Sequence, residues 1–159
     1  MTVETSPVTI ASGIPEDLLL DAAQLYYDGR LKRFPGMLPR EVTMSALSES
    51  LDPDYALSAV GPNGALLGIA TFAQKKRGFW RPVPSHPEKT IGFRRFIRSY
   101  LTGAAMLQVR SRARRQTSLL LEGVFVSVAG LQHEVGEPLL DGVIAEAKRL
   151  GMTQVEVIV

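Results

Sequence analysis

The chain has 159 residues, a net charge of +2, 45% hydrophobic and 21% charged residues, which suits one globular domain over 1–159 that buries about two thirds of its unfolded surface. It contains no cysteine, excluding disulfides, thiolate catalysis and cysteine-bound metal, and its two histidines, His86 and His133, stand far apart, so no metal is expected. No apolar run approaches the roughly 18 residues of a membrane span, and the opening MTVETSPVT lacks the basic and apolar regions of an export signal, so no membrane contact and a cytoplasmic location are expected.

The first helix signal is Ser12-Gly13-Ile14-Pro15-Glu16-Asp17, a capping residue, an early proline and acids in the first turn. Leu18, Leu19, Ala22, Ala23, Leu25 and Tyr26 then recur at helical spacing up to Gly29. A second helix is predicted over residues 39–51, broken by Asp52-Pro53-Asp54. Residues 55–60 read as a strand, Gly61-Pro62-Asn63-Gly64 as a tight turn, and 65–73 as the returning strand. Residues 75–90, with three prolines and no steady period, read as a loop. From 91 to 112 the pattern predicts a helix with an arginine-rich outer face. A buried strand over 117–128, a helix over 136–150 closed by Gly151, and a strand over 153–159 complete the order.

Charge is distributed unevenly. Residues 75–115 hold twelve Lys/Arg and one acid, Glu88, enough to attract phosphate or an acidic partner, or simply to solvate a helix face. Phe79 and Trp80 at its edge could stack on bases. No recognised nucleic-acid module accompanies them, so nucleic acid is not expected as a partner.

The last forty residues form a β-loop-α-β unit in which a polar loop opens a helix at Gly136-Glu137-Pro138. Unpaired amides and the helix dipole favour an anion such as a phosphate there, and Pro138 equally suits ordinary capping. Strand 120–126 (LLEGVFV), the hairpin residues 54–60 and 66–70, Leu139-Leu140 with Ala145 and Ala147, and Gly151-Met152-Thr153-Gln154-Val155 stand in an order that resembles the GNAT (N-acetyltransferase) superfamily. The resemblance implies an α/β (α+β mixed sheet) class and a GNAT-like acyl-CoA N-acyltransferase fold. Its central mixed sheet has helices on both faces, and it is shortened at the C-terminus.

The resemblance also implies acetyl-CoA as cosubstrate, with the backbone of Val124, Phe125 and Val126 bonding its acetyl carbonyl and pantetheine amides. Those three residues equally serve as core. The family's pyrophosphate loop, Q/R-x-x-G-x-G/A, aligns with Leu131-Gln132-His133-Glu134-Val135-Gly136 and leads into Glu137. Leu131 stands where Gln or Arg is usual, and Glu134 replaces the first glycine. Glu122, among apolar neighbours in its strand, is the candidate catalytic base, or else an ion-pair partner of Arg110 or Arg114. Trp80, Phe79 and Arg81 would line the acceptor cleft. The family's general-acid tyrosine follows the strand that ends this chain and has no counterpart in it. The expected activity is acetyl transfer to an amine of a small-molecule or protein acceptor. The alternative is a catalytically silent module that binds acyl-CoA or a protein partner. The edge strand 154–159 invites pairing into a homodimer.

Overall fold

The computed structural model describes residues 8–33, 44–74, 77–80 and 117–157. Thr9–Ser12 form a strand, β1, that the sequence pattern did not predict. Gly13, at φ 83°, then turns the chain away, its N–H bonded to Ala56 O at 2.8 Å. The acid-rich segment that follows is a single 3-10 turn, Glu16–Leu18, and helix α1 runs over Leu19–Gly29. Its buried residues are Ala22, Ala23 and Tyr26, at the expected spacing. Of the predicted second helix the described part is α2, Met44–Glu49, with residues 39–43 outside the described set. Asp52 ends that region by accepting the Asp54 N–H at 3.3 Å and capping a 3-10 turn over Pro53–Tyr55.

The hairpin is as expected. β2 (Ala56–Val60) and β3 (Leu66–Gln74) pair antiparallel, with Leu57 opposite Ala70. The turn is closed by the Gly61 N–H on Ala65 O at 2.9 Å. Within the expected loop 75–90, Arg77–Gly78 form a short strand, β4, against the end of β3, and Trp80 bridges to Leu51. The predicted helix over 91–112 lies outside the described residues. β5 (Ser118–Val126) follows, then a five-residue helix, α3 (Val128–Gln132), where only a loop was expected. Helix α4 (Gly136–Arg149) and strand β6 (Gln154–Val157) close the described chain, Gly151 turning between them at φ 71°. No helix among the described residues is long and apolar enough to cross a membrane.

The sheet order is β1-β2-β3-β5-β6, antiparallel except for the parallel pair β5–β6. Both faces are covered, which is why β2 and β3 are buried almost throughout. On one face Ala22, Ala23 and Tyr26 of α1 and Leu47 of α2 pack with Ile69, Phe79 and Trp80. On the other, Leu139, Val143 and Ala147 of α4, spaced by four residues, pack on Leu57, Leu67, Phe72, Leu119 and Leu121. Each such leucine or valine contributes about 1.5–3 kcal/mol by leaving water. Phe79 is fully buried and Trp80 is 2% exposed. The expectation that they line an acceptor cleft, or stack on bases, is therefore corrected: both are core, and Arg81 lies outside the described residues.

Candidate functional site

The site begins with a phase change in β5. Thr71 of β3 faces Gly123 and the next residue, Phe72, faces Leu121, so Glu122 is an extra residue in the ladder, a β-bulge. Leu119 and Leu121 before the bulge, and Val124 and Val126 after it, all pack on the α4 face. Phe125 packs on the α1 face. Strict alternation could not place Leu121 and Val124 on the same side. The bulge does, and it leaves Glu122 and Gly123 sharing the place of one residue. Glu122 is 5% exposed, as its apolar neighbours in the sequence suggested. Its backbone carbonyl accepts a hydrogen bond from Nη1 of Arg30, just past α1, which ties that helix to the bulge. Nothing in the sequence marked Arg30 for this position. Arg110 and Arg114, the expected ion partners of Glu122, lie outside the described residues.

The first half of β5 also pairs with β6. Their pairing runs from Ser118 opposite Gln154 to Leu121 opposite Val157. Val124, Phe125 and Val126 lie beyond this described pairing. Backbone N–H and C=O groups are strong hydrogen-bonding groups that need partners. Val124, Phe125 and Val126, the residues expected to offer them, are half-buried.

The chain then enters the loop that begins at Ser127. Ser127 caps α3: its Oγ donates to Leu67 O at 3.0 Å and accepts from the Gly130 N–H at 3.0 Å. Gly130 packs on β3 so closely that a Cβ would stand 2.0 Å from Leu67 O, so only glycine fits. That pair, Ser127 and Gly130, was readable in principle as a cap three residues before a glycine, and the sequence reading missed it.

Helix α3 ends with the Glu134 N–H on Leu131 O and the Val135 N–H on Gly130 O, both at 3.2 Å. This is a Schellman motif, whose C′ residue takes the left-handed conformation and is usually glycine. Here it is Glu134, at φ 52°, the one non-glycine with positive φ among the described residues. The position that the family pattern fills with glycine thus keeps a glycine-like backbone while carrying a carboxylate. A left-handed residue with a side chain is strained by about 1–2 kcal/mol.

Helix α4 starts immediately afterwards with no side-chain cap at Val135. Its first N–H groups have no partner within the helix, and since Pro138 has none to offer, Gly136 and Glu137 supply the free donors. Gly136 has no atom within 4 Å of where a Cβ would stand, so the space on that side of the first turn is open. Leu131, Gln132, His133, Glu134 and Glu137 are exposed around them, while Val135 is fully buried beneath. Val135 therefore anchors the loop rather than lining its surface. The helix dipole favours an anion here, and Glu137 in the first turn already takes part of that benefit.

At the other end of α4, Glu146 is nearly buried and held by Arg149 in a two-pronged ion pair, Nε to Oε2 at 2.9 Å and Nη2 to Oε1 at 2.6 Å. The Arg149 hydrogen bonds hold the Glu146 carboxyl below its usual value, against the opposing effect of burial. These two residues line, with Asp52, Asp54, Arg77 and Gln74, a cavity of about 260 Å³ remote in sequence from the loop.

No family model matches the chain, and no curated protein matches it by sequence. Solved structures do resemble it. A ribosomal-protein-alanine N-acetyltransferase from Brucella melitensis biovar Abortus 2308 superposes with a TM-score of 0.51 at 14% identity, over 96% of this chain and 80% of that one. The aminoglycoside N-acetyltransferase AAC(6')-Iy, in complex with CoA, gives 0.53 at 14% identity, over 97% and 79%.

Proposed function

We infer that this chain, which has the fold of the GNAT N-acetyltransferases, binds acetyl-CoA along Val124–Val126 of β5 and transfers its acetyl group to an amine. The observation that carries this reading is the conjunction of two features. Val124–Val126 of β5 follow a bulge and lie past the described pairing with β6, and an uncapped helix N-terminus comes a few residues later. An extended ligand with amides at one end and a pyrophosphate at the other matches that pair of features. That one structural neighbour holds CoA supports the choice of ligand.

In this reading the amides of Gly136 and Glu137 meet the pyrophosphate, with the exposed Leu131, Gln132, His133 and Glu134 beside it. The backbone of Val124, Phe125 and Val126 orients the pantetheine and the thioester. The amine nitrogen attacks the thioester carbonyl carbon, the C–N bond forms and the C–S bond breaks. The nitrogen gives up a proton and the sulfur leaves as a thiol after gaining one. Glu122, in the bulge and 5% exposed, is the carboxylate assigned the nitrogen's proton in this reading, directly or through water. The test is thiol release from acetyl-CoA across an amine panel: Glu122→Gln should lower turnover by 10²-fold or more, and unchanged turnover would remove Glu122 from the chemistry.

A second reading has its own observation. Glu134 and Glu137 put two carboxylates around the anion-binding amides, which suits a silent module that binds acyl-CoA weakly or a protein partner instead. Measurable acetyl transfer that Glu122→Gln abolishes would exclude it.

A further inference from the structure

We propose that Phe125 restricts the acyl group carried by coenzyme A to acetyl size, a specificity role that rests on the acetyl-CoA reading above. The ring sits in a seat built by two glycines from different elements. A Cβ at Gly29, the last residue of α1, would stand 2.2 Å from Phe125 Cδ1, and a Cβ at Gly123, in the bulge, 2.6 Å from Cζ. Tyr26, fully buried, meets the ring edge-on with centroids 5.4 Å apart at 84°, and is braced in turn by Phe79 at 5.1 Å.

A ring wedged in this way, against close-packed neighbours on two elements, is a fixed wall. It stands on the α1 side of β5, next to the bulge and past the described pairing with β6. Phe125 as a whole is only half-buried. A thioester held by the backbone of residues 124–126 directs its acyl substituent toward this wall. A methyl group ends before the ring, whereas butyryl and hexanoyl chains run into it. The bonds made and broken are those of acetyl transfer, so the wall selects which thioester is admitted.

The test is binding, which needs no acceptor. Dissociation constants for CoA, acetyl-CoA, butyryl-CoA and hexanoyl-CoA are measured by calorimetry on the parent protein, Phe125→Ala and Phe125→Leu, each checked by its melting curve. Discrimination of about 10–200-fold per methylene is what a closed apolar pocket achieves. The parent should therefore bind hexanoyl-CoA at least tenfold more weakly than acetyl-CoA. Phe125→Ala should shrink that ratio at least tenfold, and Phe125→Leu, which keeps most of the packing on Tyr26, should give an intermediate ratio. A parent that binds all four alike overturns the proposal, as does a ratio unmoved in a folded variant. A parent that binds none of them overturns the acetyl-CoA reading itself, and the proposal with it.

Discussion

Glu134→Gly separates two effects that the loop combines. The residue is strained at φ 52°, by about 1–2 kcal/mol for a side chain in the left-handed region. Glycine removes that strain but gives back about 0.5–1 kcal/mol through the freedom it adds to the unfolded chain. The net gain is therefore about 0.5 kcal/mol, a rise in Tm of one or two degrees for a domain of this size. The carboxylate contributes separately to binding. At an exposed position its repulsion of a pyrophosphate about 4 Å away amounts to about 1 kcal/mol, or roughly fivefold in affinity. Glu134→Gln divides the two, since it keeps the strained side chain and removes only the charge. The expected pattern by calorimetry and thermal melting is tighter acetyl-CoA binding in both variants and a higher Tm only in the glycine variant. The affinity gain should fade as salt is raised, because exposed charges are screened. If both variants bind acetyl-CoA as the parent does at low salt, no pyrophosphate approaches Glu134. If Glu134→Gly lowers the Tm by several degrees, the left-handed Schellman geometry is wrong.

Three further outcomes follow from the same geometry. Gly136→Val meets no atom within 4 Å, so it should melt within about a degree of the parent, yet bind acetyl-CoA at least tenfold more weakly by blocking the first-turn amides. A large loss of stability would instead show that the space is filled. Because Arg149 lowers the Glu146 carboxyl's pKa in the folded state, the pair adds stability above the unfolded value, and that stability is lost as pH falls through the lowered one. Arg149→Met should therefore flatten the dependence of Tm on pH below about 5, and a slope equal to the parent's would deny the coupling. We also propose that β6, an edge strand among the described residues with Val157 61% exposed, pairs with a second copy of the chain. Light scattering should give a dimer mass that Val157→Lys reduces, and a monomer at working concentration would refute it.

How much of this was legible depended on how local each determinant was. The β2–β3 hairpin, β5, α4 and β6 were readable because apolar periodicity and glycine or proline punctuation coincide in them. β1 was not, because Thr9-Ile10-Ala11-Ser12 is too short to show a period and is held by pairing to β2. β4 has two residues and exists only against β3. Phe79 and Trp80 follow three cations in sequence and so read as surface, but the Leu51–Trp80 bridge draws them into the core.

In the candidate site, Glu122 stood out in the sequence because a carboxylate in an apolar strand is conspicuous. Its bulge was hidden, since the run Leu119-Leu120-Leu121 is apolar on both faces and carries no phase to break. Glu134 read as the loss of a glycine. Only the backbone reveals that the conformation glycine would supply is still present.

The most direct measurement is calorimetric titration of acetyl-CoA into the purified protein, with desulfo-CoA and ATP as controls. Saturable micromolar binding of acetyl-CoA and desulfo-CoA, weakened in Gly136→Val, is the expected result. No binding at millimolar acetyl-CoA would contradict the placement of a coenzyme along β5 and at the start of α4.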